Sequence, residues 1–412
     1  MPKHRAASEI SKSWNIGFEL EVILGDLGSP HYKDYVSKFE PMDEATPGYC
    51  QTLAKKLSSF TGRKWVAPRS NRVETGFYVV PEYDIDPCNF QYANQLAGVE
   101  LITPPLPITE AEALREEMVS ALFELDGYSN EEFDESTASL GWHVNIDPGD
   151  GKAIEAASYA CGVDEVEILL RSGRLGGKMT GLQRHSFGPH LLRELSTANS
   201  FISSDYDSLN FEHFLIKNIG KSKYYAANFS RNHYLELRHF STPDFFNESS
   251  IEELLDEPLR ALQMGRANSQ AALNHLVETF KVLRLWLDEY EEKITIKIHE
   301  AGRTNLRNAT IFFGEQDVGS LTWCGQISVE IWGKDRYVPL VGAWGHAQSN
   351  LKEVFAVLCL DIVDILRLRG EVNVPETLGI AVLDLNERLT ASGLRKRPEI
   401  VKSEWWDKVE RN

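Results

Sequence analysis

Cysteine is scarce and badly placed for cross-linking. Cys50, Cys88, Cys161, Cys324 and Cys359 are odd in number, far apart and without a CxxC pair, which excludes a disulfide framework and a cysteine zinc site and predicts a reducing, cytoplasmic setting. Long apolar runs are also missing. The most hydrophobic stretch, Val354 to Leu368, is cut by Asp361 and Asp364, and the basic start MPKHRAASEISKSW has no apolar segment behind it, so neither a membrane span nor an export signal is expected. Positive charge is short: 43 Lys+Arg against 61 Asp+Glu leave a net charge of −18, which disfavours nucleic acid as a partner. A phosphate-bearing small molecule would then need a divalent cation, because carboxylates alone repel it. Internal repeats and low-complexity segments are absent, and 42% apolar with 25% charged residues is ordinary globular usage, so the 412 residues predict one large folded domain with an extension, or two domains.

What is present is a series of strands with alternating character. In Ile16–Leu24, Phe18, Leu20 and Val22 point one way and Glu19 and Glu21 the other. A helix is predicted over 48–61, with Leu53, Leu57 and Phe60 at helical spacing and Gly62 as its stop. A strand pair is predicted at 76–81 and 98–103, then, past Pro104-Pro105, a helix opened by a Thr109/Glu112 capping box. Residues 140–147 alternate again, with His143, Asn145 and Asp147 on one face. The stretch 171–190 is basic and rich in Gly, and reads as a mobile loop and candidate lid. Lys223–Phe229 and Tyr234–Phe240 read as paired strands, with Glu236 and Arg238 on one face. A long amphipathic helix is predicted over 260–290. From 293 the pattern becomes a small meander of five runs followed by two helices.

Each of these strands therefore carries ionisable or amide side chains on one face: Glu19 and Glu21; Glu100; His143, Asn145 and Asp147; Glu236 and Arg238. A solvated antiparallel sheet also alternates, but its outer face is normally filled with Thr, Lys, Ser and Gln. Neighbouring carboxylates at about 4 Å repel by roughly 4 kcal/mol at an effective dielectric near 20. Mg²⁺ or Mn²⁺ would turn that repulsion into attraction, whereas a single strand-borne His without Cys argues against zinc.

The segments GFELEV (17–22), GVELITPPL (98–106), GWHVNID (141–147) and KYYAANF with LELRHF (223–240) stand in an order that resembles the amidoligase family, the glutamine-synthetase-like and glutamate–cysteine-ligase-like carboxylate–amine ligases. The likeness covers about 14–245. It implies an α+β fold in which a curved antiparallel sheet with flanking helices holds Mg·ATP and the substrates. It also implies a catalytic domain over 1–292 and an accessory meander-and-helix extension over 293–412. Glu19, Glu21, Glu100 and Glu236 would bind metal, joined by Asp84 or Asp86, where Tyr83-Asp-Ile-Asp86 replaces the family's Asp-Gly-Ser. His143 would sit by metal and phosphates, Lys223 and Arg238 would stabilise the transferring phosphoryl group, and Asn145 and Asn228 would hold substrate or nucleotide. HVN at 143–145, where many members have HVH, would alter substrate contacts.

The implied activity is ATP- and Mg²⁺-dependent amide formation through an acyl phosphate. Its partners would be small-molecule or peptide carboxylates and amines, or a protein substrate. Two other readings stand beside it. Paired Glu residues also serve glycosidases, although Glu19 and Glu21 are neighbours on one strand rather than opposed across a cleft. A non-catalytic nucleotide- or partner-binding protein could keep the same sheet. Gly173-Arg-Leu-Gly-Gly-Lys-Met179 misses a P-loop at both ends, with Ser172 and Met179 in the wrong places. His185, His190, His233, His239 and His346 read as packing or surface residues.

Overall fold

The computed structural model describes residues 14–24, 48–67, 76–81, 97–124, 141–147, 159–160, 162–175, 181–197, 208–219, 225–229, 234–246, 249–299, 307–323, 327–332, 337–340, 351–370 and 374–394. Asp84, Asp86 and Lys223 lie outside them. Along the chain run β1 (Asn15–Leu24), α1 (Gly48–Thr61), β2 (Trp65–Val66), β3 (Phe77–Pro81), β4 (Ala97–Ile102), β5 (Leu106–Pro107), α2 (Ile108–Glu124) and β6 (Gly141–Asp147). Then come α3 (Glu165–Arg171), α4 (Gln183–Ser196), α5 (Ser208–Asn218), β7 (Ala227–Asn228), β8 (Leu235–Ser241), α6 (Thr242–Phe245) and α7 (Ile251–Tyr290). The rest is β9 (Ile294–Ile298), β10 (Arg307–Phe313), β11 (Gln316–Trp323), β12 (Ile327–Trp332), β13 (Tyr337–Leu340), α8 (Leu351–Arg369) and α9 (Glu376–Ala391). The fold is α+β, and no described helix is long and apolar enough to cross a membrane.

The chain divides into two compact units: 1–153 with 172–174 and 231–256, and 154–171 with 175–230 and 257–412. The first unit holds a sheet in the order β2-β3-β4-β1-β6-β8, with β5 also on β1. It is antiparallel except at β2 and β3, where Trp65 pairs with Phe77 in parallel. The expected all-antiparallel sheet is corrected there, because β2 reaches β3 through a ten-residue connection and not a hairpin turn.

Alternation gives the sheet one apolar face. Phe18, Leu20, Val99, Leu101, Trp142, Val144, Leu235 and Leu237 are all fully buried. Phe18, Phe240 and Phe245 surround Trp142 with ring centroids 5.3 to 5.7 Å away, and such pairs contribute about 0.5–1.5 kcal/mol each beyond area burial. α1 buries Cys50, Leu53, Ala54 and Leu57 and stops at Gly62, whose φ of +64° suits glycine; Phe60 is exposed instead of packed.

Two local expectations change. α2 already begins at Ile108, so Thr109 is not its cap, and Glu112 Oε2 instead accepts the Ile251 N–H at 2.6 Å, satisfying an orphan donor at the start of α7. The supposed loop over 171–190 is helical from Gln183 onward. Gly188 and Pro189 read as breakers, but a Cβ at Gly188 would lie 2.9 Å from Val357 Cγ2 and 3.0 Å from the Phe280 ring. The glycine permits close helix packing, and that packing outweighs its low propensity.

The second unit has its own sheet, the meander β13-β12-β11-β10-β9, and one apolar core. That core joins Phe187 and Leu191 of α4, Phe280, Leu283 and Trp286 of α7, Ile311 and Phe313 of β10, and Val354, Phe355 and Leu358 of α8. Trp286 Nε1 donates to Ala381 O of α9 at 2.9 Å. The change of pattern near 293 is real at the level of elements, since α7 ends at Tyr290 and β9 starts at Ile294. Compactness does not divide there: segments on both sides of 293 fill the same core. A chain truncated after Glu292 should therefore be insoluble or aggregated, since it strands the buried face of α7. Soluble yield and size-exclusion chromatography check this, and a monomeric 1–292 with a cooperative melt would contradict it.

Candidate functional site

The opposite face of the first sheet is polar, with Glu19, His143, Asn145, Glu236 and Arg238 buried and Glu21 and Glu100 half-buried. Register explains the gathering: β1 is central, Glu21 stands opposite Glu100 of β4, and Glu19 stands opposite His143 of β6. Asn145 stands opposite both Gly17 of β1 and Glu236 of β8. Cross-strand neighbours have Cβ atoms about 5 Å apart, so residues from four strands converge without any loop. Between Trp142 and Val144 the pairing with β8 slips by one residue, so Arg238 and His239 both face His143. Such a bulge re-aims side chains.

One ligand atom each from Glu19, Glu100 and His143 lies within 4.8 Å of the others. His143 is 2% exposed. Its Nδ1 is 3.7 Å from Glu19 Oε2 and 3.8 Å from Glu236 Oε1, and its Nε2 is 3.8 Å from Glu21 Oε1. All three separations exceed hydrogen-bond reach, and neither ring nitrogen has a hydrogen-bond partner among the described residues. A buried imidazole with carboxylates around it but no hydrogen-bond partner among the described residues is set where a further group would bind.

The carboxylates are held in place. Asn145 Nδ2 donates to Glu19 Oε1 at 3.1 Å, and its own Oδ1 has no hydrogen-bond partner among the described residues. The Gly141 N–H donates to Glu21 Oε2 at 2.6 Å. A Cβ at Gly141 would fall 2.5 Å from His143 Nε2, so only glycine leaves space beside that nitrogen. Gly17 is similarly close to backbone: a Cβ there would be 3.3 Å from Thr103 O. Thr103 closes this edge, since its Oγ1 accepts the Phe18 N–H and its N–H donates to Phe18 O. Arg238 Nη1 donates to Glu236 Oε1 at 2.5 Å, while Arg238 Nε is buried with no hydrogen-bond partner among the described residues.

These residues fit a hard divalent cation. At ligand distances of about 2.1 Å, ligands of an octahedral ion stand about 3.0 Å apart when adjacent and about 4.2 Å apart when opposite, so these atoms, all within 4.8 Å of one another, would draw inward to hold one ion. The donor set, carboxylate oxygen with one imidazole and no thiolate, suits Mg²⁺ or Mn²⁺.

The structure thus brings together Glu19, Glu21, Glu100, His143, Asn145, Glu236 and Arg238 on one face. Asn228 is buried in β7, a segment that groups with the second unit. His185 and His239 are buried, His185 with its Nε2 on Asp361 Oδ2; His233 and His346 lie outside the described residues.

One participant carries no strand signal. Arg174 follows α3, is 6% exposed, and donates from Nη1 to Phe240 O at 2.9 Å. Burial lowers its pKa to about 10, with the like charge of Arg238 acting in the same direction and Glu21 and Asp244 opposing. The only sequence hint is its place in the Gly-rich basic stretch after Gly173.

No protein-family model, curated protein or solved structure matches this chain. Fold and site by themselves define an α+β protein with a buried carboxylate, imidazole and guanidinium centre on one sheet face.

Proposed function

We propose that this chain is an ATP- and Mg²⁺-dependent (or Mn²⁺-dependent) carboxylate–amine ligase of the amidoligase kind, working on a curved glutamine-synthetase-like sheet in the cytoplasm. The observation that carries the reading is the buried His143, without a hydrogen-bond partner among the described residues, set among Glu19, Glu21, Glu100 and Glu236, with Arg238 beside them. Glu19, Glu100 and His143 would hold the ion, with Glu21 and Glu236 adjacent. A divalent ion there would neutralise phosphate charge and polarise the phosphoryl oxygens.

The chemistry needs such a site. A carboxylate resists attack by an amine, so one of its oxygens first takes the γ-phosphoryl group of ATP and ADP leaves. The amine then attacks the acyl carbon, the C–N bond forms, and phosphate departs with the C–O bond electrons. Phosphoryl transfer depends mainly on positioning and electrostatics. Asn145 orients Glu19, the Gly141 amide orients Glu21, and Glu236 fixes the Arg238 guanidinium. Arg238 then presents charge that requires no reorganisation during the step. The substrates are a small-molecule or peptide carboxylate and an amine, or a protein side chain or terminus.

Calorimetry with ATP should show binding that requires Mg²⁺, and a panel of acids and amines should release ADP for at least one pair. Binding with neither condition would end the reading. Mg²⁺-dependent binding without turnover on an exhaustive panel would favour the non-catalytic alternative that keeps the same sheet.

A further inference from the structure

The two ring nitrogens of His143 have different surroundings. Nδ1 faces two carboxylate oxygens, Glu19 Oε2 at 3.7 Å and Glu236 Oε1 at 3.8 Å, whereas Nε2 faces one, Glu21 Oε1 at 3.8 Å. An imidazole that ligates an ion carries its proton on one nitrogen and gives the lone pair of the other. The proton is more stable beside two carboxylate oxygens than beside one, which puts it on Nδ1 and leaves the lone pair on Nε2. Nε2 is buried and makes no hydrogen bond to a described residue. A lone pair and a carboxylate oxygen at that separation repel each other unless a cation joins them.

Gly141, the first residue of β6, lies against that nitrogen. Its φ is not positive, so the backbone there is one that any residue adopts and does not itself call for glycine. What matters is the missing Cβ, which would lie 2.5 Å from His143 Nε2, 3.0 Å from its Cδ2 and 3.2 Å from Glu21 Oε2. Glycine weakens a strand, and inside one it often marks a close approach by a ligand. The Gly141 N–H also donates to Glu21 Oε2 at 2.6 Å, which leaves the other oxygen, Oε1, as the one facing the imidazole. One residue thus withholds a side chain beside Nε2 and fixes the carboxylate across from it.

We propose that Gly141 is a positioning residue of the metal site: it reserves the space at His143 Nε2, so that this nitrogen and not Nδ1 ligates the divalent ion, with Glu21 Oε1 beside it. The proposal rests on the metal-dependent part of the ligase reading and names the ligating atom, which that reading leaves open. The Nδ1–H then faces Glu236 and Glu19, the arrangement by which metal sites set the tautomer and orientation of a ligating histidine. A carboxylate has about four lone-pair sites, so Glu19 serves the ion and Nδ1 together.

The test uses the full chain and titrates Mn²⁺ alone, then Mg·ATP, into wild type and Gly141→Ala. Gly141→Ala should weaken Mn²⁺ by about 10- to 100-fold, the scale for losing a group that orients a metal ligand. Melts in chelator provide a second measure: Gly141→Ala should lower the melting temperature of wild type more than that of His143→Ala, because the clash is with the imidazole. An equal drop in both backgrounds would make the glycine merely structural and overturn the proposal. Nitrogen-15 spectra of histidine-labelled wild type with Mg²⁺, in which His143 is assigned by its loss in His143→Ala, should place the proton on Nδ1. A proton on Nε2 would overturn the proposal too. If Gly141→Ala binds Mn²⁺ as tightly as wild type, the proposal fails while the ligase reading stands on the Mg·ATP titration. If wild type binds Mn²⁺ but no Mg·ATP, the ligase reading fails and the Gly141→Ala comparison still decides. Wild type that binds no divalent ion, with or without ATP, would end both. Should Gly141→Ala be insoluble, the wild-type spectra carry the test.

Discussion

If the chain is the proposed ligase, Arg238→Ala is expected to lower its ADP-forming turnover by about 10³-fold or more, the scale on which an arginine acts in phosphoryl transfer, with only a modest change in ATP affinity. The reason lies in how the side chain is held. Glu236 takes Nη1 at 2.5 Å, the bulge turns this part of β8 toward His143, and buried Nε is left for a further acceptor. A preorganised cation matters most where charge shifts, which is the transition state. Glu236→Gln should behave differently. The amide cannot offset a divalent ion, so Mg²⁺-dependent nucleotide binding should weaken, and Arg238 loses its anchor as well. ADP release and nucleotide titrations on the same samples separate the two signatures. Full turnover in Arg238→Ala would reduce the residue to a structural ion-pair partner on the sheet.

The largest expected effect on stability belongs to Asp361, in the second unit. It is 0% exposed in the middle of α8 and takes Arg184 Nε on Oδ1 and His185 Nε2 on Oδ2, each at 2.5 Å. Arg184 also reaches Asp364 at 2.5 Å, and Arg367 links Asp364 to Asp164. Burial alone would push the Asp361 carboxyl up, but Arg184 and His185 together hold it below the ordinary carboxylate range. Burial likewise disfavours the Arg184 charge, and the two aspartates overcome it.

Asp361→Ala leaves the half-buried Arg184 guanidinium and the buried His185 without their shared counter-charge and should cost about 3–5 kcal/mol. At about 2–4 °C per kcal/mol for a folded unit of this size, the melting temperature should fall by about 6–20 °C. The pH dependence has a definite sign. A carboxyl whose folded pKa is depressed contributes stability above its unfolded pKa of about 3.9 and loses it as pH falls through the folded value. Wild type should thus weaken in acid through this group, and Asp361→Asn, weaker at neutral pH, should lack that component. Melts of the three proteins at neutral and acid pH measure both effects. A neutral-pH loss under about 1 kcal/mol, the scale of exposed ion pairs, would show that the network does not stabilise the fold.

The strands that build the site were legible because alternation depends only on the pleat. Once Ile16–Leu24 is a strand, Glu19 and Glu21 must share a face opposite Phe18 and Leu20, and the same holds for His143 and Asn145 and for Glu236 and Arg238. The meander after 293 and its two closing helices were legible for the same local reason. Pairing was not local. That Glu21 faces Glu100 and Glu19 faces His143 is a matter of register, chosen when the apolar faces of β1, β4 and β6 pack together.

Other features were hidden because their partners are remote in sequence. Gly188-Pro189 reads as a break until α8 and Phe280 close on it. Glu112 reads as part of its own helix cap until Ile251 arrives 139 residues later. Arg174 reads as one basic residue in a loop until the turn at Gly173 binds it to β8. Period by itself determined strands such as Ile16–Leu24 and 140–147, helices such as 48–61 and 260–290, and which side chains share a strand face, since each follows from spacings of two or 3.6 residues. Tertiary structure decided the strand order, the joint core of 154–230 with the segments after 256, and the guanidinium added at Arg174, since each depends on which distant surfaces exclude water together.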